Sequence, residues 1–330
     1  MPKRALEIGE SEDGNTSLKP TKVINVAYGE YNKAGDTIPS DPVLRLRKEE
    51  LPERKLTVVA WNLNGIRSFV EKRGQLLKTL WESEDVDILG ITEHKVTDEN
   101  RAQEVETSIR KILHGHDVKF IWNMCSVKKG YAGSLAVVKG NIFTQIEKTS
   151  FGFNKTDPEG RVITLEFKHA AVVIVYVPNS GMQLERLQYR INTWDKDFSN
   201  YCVALSKSKS VIIAGDMNVA HRDVDIYNVD AAHIPKLAGT TPQERNSFQS
   251  QFLDKGFVDT FACMHPKKKG WFSYWSVKAK NKPRNRGLRL DYVLADRSLK
   301  MLDAFISSDL SKEGDHCPIG LVVELDQSSI

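Results

Sequence analysis

The sequence predicts a single α/β domain behind a polar N-terminal tail, and three observations predict it. From residue 56 onward, apolar runs of strand length alternate with segments of helical period. No break in composition follows residue 55, so the rest of this 330-residue chain reads as one domain. Polar clusters recur at the downstream ends of the apolar runs, at Asn62, Glu93, Tyr176, Asp216 and Asp315. That is where α/β folds build their sites.

Residues 1–54 are rich in Glu, Lys, Ser, Thr, Asp and Pro and almost lack hydrophobic periodicity, so a disordered tail is expected there. Residues 56–61 read as a buried strand that ends in Asn62-Leu63-Asn64-Gly65, with helical patterning near residues 71–81. Residues 87–91 form a second strand, ending in Thr92-Glu93-His94-Lys95. Val105, Ile109, Ile112 and Leu113 then share one helical face. Strands are expected at residues 132–138, 162–167 and 172–177. Leu184, Leu187, Ile191, Trp194, Phe198, Tyr201 and Leu205 recur in steps of three and four. Lying between strands, that seam is read as a helix packed on a sheet rather than a coiled coil. Residues 211–214 are a buried strand, ending in Gly215-Asp216-Met217-Asn218. Asp216 and Asn218, two apart, point the same way in extended chain. Thr241-Pro242-Gln243-Glu244 is a capping box with Pro at the first helical position. Late strands are expected at residues 290–294 and 319–323.

The net charge of +4 permits a polyanionic partner without demanding one. Lys267, Lys268 and Lys269 precede Trp271, Phe272, Tyr274 and Trp275, and Lys278, Lys280, Lys282, Arg284 and Arg286 follow. Cations interleaved with aromatics suit a phosphate backbone and exposed bases. The four cysteines are far apart, which argues against a zinc site or a disulfide framework and for a reducing compartment. No apolar run approaches the roughly 20 residues a membrane-spanning helix needs, and no secretory leader is expected. Pro2-Lys3-Arg4 hints at the nucleus.

The chemistry-bearing residues are the carboxylates Glu93, Asp216, Asp291 and Asp315, the amides Asn62, Asn64, Asn179 and Asn218, and Tyr176 and His316. Oxygen donors of this kind suit Mg²⁺ or Mn²⁺. There is no phosphate-binding G-x-x-x-x-G-K-[ST] loop and no G-x-S-x-G nucleophile turn. An acid-amide-histidine set with a hard cation points to hydrolysis of a phosphate ester.

Ordered stretches across residues 56–325 resemble the exonuclease III family of apurinic/apyrimidinic (AP) endonucleases, within the endonuclease/exonuclease/phosphatase superfamily. They are Trp61-Asn62-Leu63-Asn64-Gly65, Glu93-His94-Lys95, Lys129-Gly130-Tyr131, Glu159-Gly160-Arg161, Tyr176-Val177-Pro178-Asn179, Gly215-Asp216-Met217-Asn218, Thr241-Pro242-Gln243-Glu244-Arg245, Arg289-Leu290-Asp291-Tyr292 and Gly314-Asp315-His316.

The resemblance implies a four-layer α/β sandwich, two packed mixed sheets flanked by helices. It implies Glu93, with Asp315 and Asn64, as ligands to Mg²⁺, with Mn²⁺ as a substitute. Asp216 would take a proton from the attacking water, and Asn218 would orient that water and the phosphate. His316, fixed by Asp291, would donate to a phosphate oxygen, and Tyr176 would stabilise the transition state or leaving group. Asn62 and Asn179 would hold phosphate oxygens, while Tyr131, Lys129, Asn228, Tyr274, Leu288, Leu290 and Arg289 would meet DNA.

The implied substrate is double-stranded DNA with abasic sites or blocked 3′ ends. A monomer is expected, acting with other repair proteins in the nucleus, or also the cytoplasm or mitochondrion. Thr92, His94, Met182 and Leu288 depart from residues common in the family and bear on metal affinity and substrate preference, while Asn64 stands where some members have Asp and others Asn. The rival readings are a phosphoesterase acting on RNA or a phosphorylated small molecule, and a DNA-binding relative without catalysis.

Overall fold

The computed structural model describes residues 40–153, 157–311 and 314–324, with the backbone of Lys22–Ile24. One six-stranded sheet runs, in spatial order, Met301–Ile306, Ile319–Glu324, Lys55–Asn62, Ile88–Thr92, Ser134–Lys139 and Val118–Asn123. The second runs Phe257–Asp259, Asp291–Asp296, Ser210–Asp216, Ala170–Tyr176, Val162–Glu166 and Lys148–Phe151. Each mixes parallel and antiparallel pairs.

The central strands are nearly continuous apolar runs because both of their faces are covered. Val58, Ala60, Ile88 and Ala136 of the first sheet meet Ile163, Val172, Ile174, Ile212 and Ala214 of the second. The first sheet's outer face carries Ile66–Glu84 and Glu99–Ile112, through Phe69, Leu77, Leu80, Val105 and Ile109. The second sheet's outer face carries the rod built of Leu187–Tyr189, Arg190–Trp194 and Asp195–Ser206, through Trp194, Phe198 and Cys202. These are the four layers expected. The seam beginning at Leu184 does pack on a sheet, although Leu184 itself sits outside the helix at φ 60°.

The boundary placed at residue 54 moves. Residues 1–21 and 25–39 of the expected tail lie outside the described residues. From Ser40 the chain is packed: Asp41 N–H donates to the Lys269 carbonyl (2.9 Å), and Trp271 Nε1 donates to the Asp41 carbonyl (2.6 Å). Val43–Arg45 pairs with Lys22–Ile24 and buries Val43 and Arg45. A three-residue strand with a cation on its buried face has no apolar alternation to read. Arg45 donates to Asp303 (2.7 Å) and Glu84 (2.7 and 3.2 Å) and stacks 4.1 Å over Phe305. Arg45→Ala strands two carboxylates in a buried setting, at a cost of about 3–5 kcal/mol. Thermal unfolding is expected to fall by about 5–10 °C, and an unchanged midpoint would refute a structural role for this segment.

The basic, aromatic stretch is also corrected. Trp271, Phe272 and Trp275 are core residues, and of that group only Tyr274 reaches the site. Cys317 is a fully buried small hydrophobe.

Candidate active site

Register assembles the site. Tyr176 pairs with Asp216 across the parallel strands, and Asp216 pairs with Asp291 across the antiparallel ones. Three functional side chains therefore share one row of the second sheet. In the first sheet Asn62 pairs with Thr92, one residue before Glu93. The chain then leaves its strands through left-handed residues that are not glycine: Asn64 (φ 48°), Glu93 (φ 53°), Lys95 (φ 56°) and Asn218 (φ 48°). Such backbone persists only where its surroundings over-determine it, and it gathers at functional sites. Gly215 makes the approach possible, since a Cβ there would stand 1.9 Å from the Val175 carbonyl oxygen.

Asn62 joins the two sheets. Its amide nitrogen donates to Glu93 Oε1 (3.0 Å) and to Asp216 Oδ2 (2.9 Å). Asn218 N–H donates to Asp216 Oδ1 (2.8 Å). Asn218 Nδ2 donates to the Val177 carbonyl (2.9 Å), and its Oδ1 accepts from Asn179 Nδ2 (2.9 Å). His316 Nδ1 lies 2.8 Å from Asp291 Oδ2, and the Tyr274 ring lies 4.9 Å from the His316 ring. Tyr176 hydrogen-bonds Glu93.

The protonation states separate. Burial, then the neighbouring Asp291 carboxylate, push the Asp216 carboxyl up to about 7. Burial works against the His316 imidazolium, but Asp291 overcomes it and His316 is raised to about 10. Burial opposes the Glu93 charge as well, yet the Asn62 amide, the Lys95 ammonium and the Tyr176 hydroxyl keep its carboxyl below the usual value. Near neutral pH a carboxylate poised as a base thus faces a histidine held as an acid.

Two groups of donors could hold a metal. Asp216, Asp291 and His316 offer atoms within 4.8 Å of one another. His316 is already committed to Asp291 and cationic, so proton handling suits that trio better. The other group is Glu93, Asn64 and Asp315. Lys95 Nζ sits 3.0 Å from Glu93 and donates to Asn64 Oδ1, while Asn64 Nδ2 donates to Asp315 (2.9 Å). An ammonium drawn into this oxygen-lined corner shows that it balances positive charge, and its donors are those of a hard divalent cation. Beside it His94 is neutral and structural: burial lowers it to about 4, and its Nδ1 accepts from Val96 N–H (2.9 Å).

The expected DNA-contact residues divide. Tyr274 bridges in sheet fashion to Leu288 and His316, over a small cluster of Ala220, Ile226, Ile234 and Leu290. Asn228 keeps a buried side-chain oxygen with no hydrogen-bond partner. Asn179, Met182, Tyr227, Tyr274, Arg286 and Leu288 are among the residues around a cavity of about 440 Å³. Lys129 is exposed, and Tyr131 accepts from Arg161 (2.9 Å) and Arg186 (3.1 Å). Arg289 is corrected: it is 1% exposed and its guanidinium is spent on Asp225 and Asp259 at 2.6–3.0 Å. It braces the fold and is buried away from any DNA surface. Sequence reading missed Lys95 within the acidic corner. It also missed Arg161, whose guanidinium stacks 4.5 Å over the Tyr176 ring and donates to the Tyr176 carbonyl (3.0 Å). Each lay in a stretch already noted, Glu93-His94-Lys95 and Glu159-Gly160-Arg161, without a role.

Sheets packed face to face, with carboxylates, amides and an imidazole at one end, define a phosphoesterase scaffold. The chain belongs to the Endonuclease/Exonuclease/phosphatase family, whose profile matches residues 59–316. It is 38% identical over 272 residues to an exodeoxyribonuclease of Bacillus subtilis, covering 82% of this chain and 100% of that one. It is 34% identical over 288 residues to a DNA-(apurinic or apyrimidinic site) endonuclease of Dictyostelium discoideum, covering 85% and 74%. Its fold is similar to the AP endonuclease LMAP of Leishmania major, with a TM-score of 0.76, 27% identity, and coverage of 88% and 94%.

Proposed function

We propose that this protein is a DNA repair nuclease of the AP endonuclease type, hydrolysing the phosphodiester 5′ to an abasic site to leave a 3′-hydroxyl and a 5′-deoxyribose phosphate. Removal of 3′-blocking groups and 3′-to-5′ exonuclease action are its secondary activities. The observation that carries the reading is the Asn62 amide, which ties Glu93 of one sheet to Asp216 of the other and so sets the acidic corner against the proton acceptor.

Water adds to phosphorus and gives its proton to Asp216, with Asn218 orienting both water and phosphate. His316 donates to a phosphate oxygen and Asn179 holds another, whereas Asn62 does not, since both its amide hydrogens are on Glu93 and Asp216. As the P–O3′ bond breaks, Tyr176 stabilises the departing 3′-oxygen, which takes a proton from solvent to become the 3′-hydroxyl. Glu93, Asn64 and Asp315 would hold Mg²⁺, or Mn²⁺ in its place, and the ion would supply neutralisation of phosphate charge. Fixed donors and charges, rather than covalent chemistry, carry such a displacement. The cavity beside Tyr274 and Leu288 takes the extruded abasic residue, which leaves a duplex cheaply because no base pairs there.

A duplex with one tetrahydrofuran abasic analogue tests this. Incision on its 5′ side in Mg²⁺, abolished by EDTA, is expected. No incision by folded protein, or incision indifferent to EDTA, would sink the proposal.

A further inference from the structure

The Thr241-Pro242-Gln243-Glu244-Arg245 motif has no task in that mechanism. Its Glu244 is fully buried. Oε2 of Glu244 accepts from Gly239 N–H (2.8 Å) and from the Thr241 hydroxyl (2.7 Å), which caps the Pro242–Phe248 helix. Oε1 accepts from the Ser180 hydroxyl and lies 3.4 Å from Arg190 Nη1. Arg190 is 2% exposed and donates Nη1 to the Asn218 carbonyl (2.6 Å) and Nη2 to the Met217 carbonyl (2.5 Å).

A guanidinium stays charged in any protein, so burying one requires counter-charge. Glu244 supplies it, with buried Asp195 standing 3.5 Å from Arg190 Nε. The result is directed at two consecutive carbonyls of the catalytic turn. Asn218 occupies left-handed backbone there, so the aim of its amide follows the peptide that Arg190 holds. A Cβ on Gly239 would stand 3.1 Å from the same Asn218 carbonyl oxygen, so the Gly239 backbone packs close against the turn as well. Through Ser180, the same Glu244 also anchors the residue after Asn179.

We propose that Arg190 and Glu244 are positioning residues for hydrolysis, a buried pair that aims the Asn218 and Asn179 amides at the scissile phosphate without touching it. The inference rests on Asn218 acting on that phosphate.

Arg190→Lys keeps the charge but lacks the fork that spans both carbonyls. Glu244→Gln keeps the shape and removes the counter-charge. Arg45→Lys, at an equally buried ion pair remote from the site, is the control. With abasic duplex and activity read per folded molecule, Arg190→Lys should lower kcat by about 30-fold and Glu244→Gln by about 10-fold, with KM within about twofold. Arg45→Lys should lower thermal stability and leave kcat within about twofold. In an Asn218→Ala background the Arg190→Lys penalty should shrink to less than about threefold, because the group it aims is gone. A merely structural ion pair predicts no such coupling. The inference is overturned if both variants keep kcat within twofold of native, or if the Arg190→Lys penalty persists undiminished without Asn218. If Arg190→Lys does not fold, Glu244→Gln decides by the same criteria, with Asn179→Ala added to the Asn218→Ala background because Glu244 reaches Asn179 through Ser180. If Asn218→Ala keeps full kcat, the catalytic reading of Asn218 fails and the inference falls with it. Loss of turnover in Asn218→Ala with none in Arg190→Lys or Glu244→Gln sinks the clamp alone.

Discussion

Replacing Asp216 by Asn is expected to lower kcat by about three orders of magnitude or more while leaving affinity for abasic DNA within severalfold, since a general base contributes about 10²–10⁴. The substitution is nearly isosteric. The amide oxygen can still accept from Asn218 N–H (2.8 Å), but the amide NH2 replaces the oxygen that accepts from Asn62 (2.9 Å), so that one hydrogen bond is lost. What disappears is the proton acceptor that burial and Asp291 raise to about 7. A buried carboxylate beside another carboxylate is held at a cost, which offsets part of that lost bond, so Asp216→Asn should be destabilised by less than about 3 kcal/mol. Single-turnover cleavage, fluorescence anisotropy with labelled abasic duplex, and thermal unfolding separate these effects. Turnover within tenfold of native would remove Asp216 from the proposed role. Destabilisation by more than about 3 kcal/mol alongside the loss would make it structural.

The parts of the fold legible in the sequence are those that are dry on both faces. Residues 56–61, 172–177 and 211–214 are nearly continuous apolar runs because sheet and helix cover them. The edge strands escaped for the opposite reason. Val118–Asn123 buries only Val118 fully, and Lys148–Phe151 is largely exposed, so neither leaves an apolar run. The rod at residues 187–206 showed its apolar seam but hid the π-helical turn at Arg190–Trp194. Glu93 and Asp216 do stand at the downstream ends of strands, whereas Asp315 and His316, expected at such an end, stand ahead of Ile319–Glu324. Motif order could not show that Tyr176, Asp216 and Asp291 share a row, because register is set by pairing between distant segments. Residue type also misled. Arg289 read as a cation for DNA, since its partners Asp225 and Asp259 are 64 and 30 positions away. Trp271 and Trp275 read as stacking platforms, since an aromatic ring does not announce whether it faces bases or core.

The pairing of His316 with Asp291 carries the other large effect. Asp291→Asn leaves a hydrogen-bond partner for His316 Nδ1 but removes the charge that raises the imidazole to about 10. A general acid must be protonated, so its contribution is present below its pKa and lost as pH rises through it. Native kcat should therefore decline only near pH 10, whereas in the variant burial acts unopposed by Asp291 and the decline should move toward the ordinary histidine range, about 6.5. Asp291 also helps raise Asp216, so the acidic limb should move down in the same variant. A base acts above its pKa, and the native acidic limb should lie near pH 7. The whole bell therefore slides to lower pH. The native-to-variant ratio of kcat should be smallest on the acid side and reach about 10²–10³ by pH 9, within the range that acid–base groups contribute. Rate profiles on the tetrahydrofuran duplex, whose abasic analogue resists base-catalysed cleavage, are the measurement. A variant that lost the same factor at every pH would show Asp291 to be a scaffold for the His316 ring, and the charge pairing would play no part in catalysis.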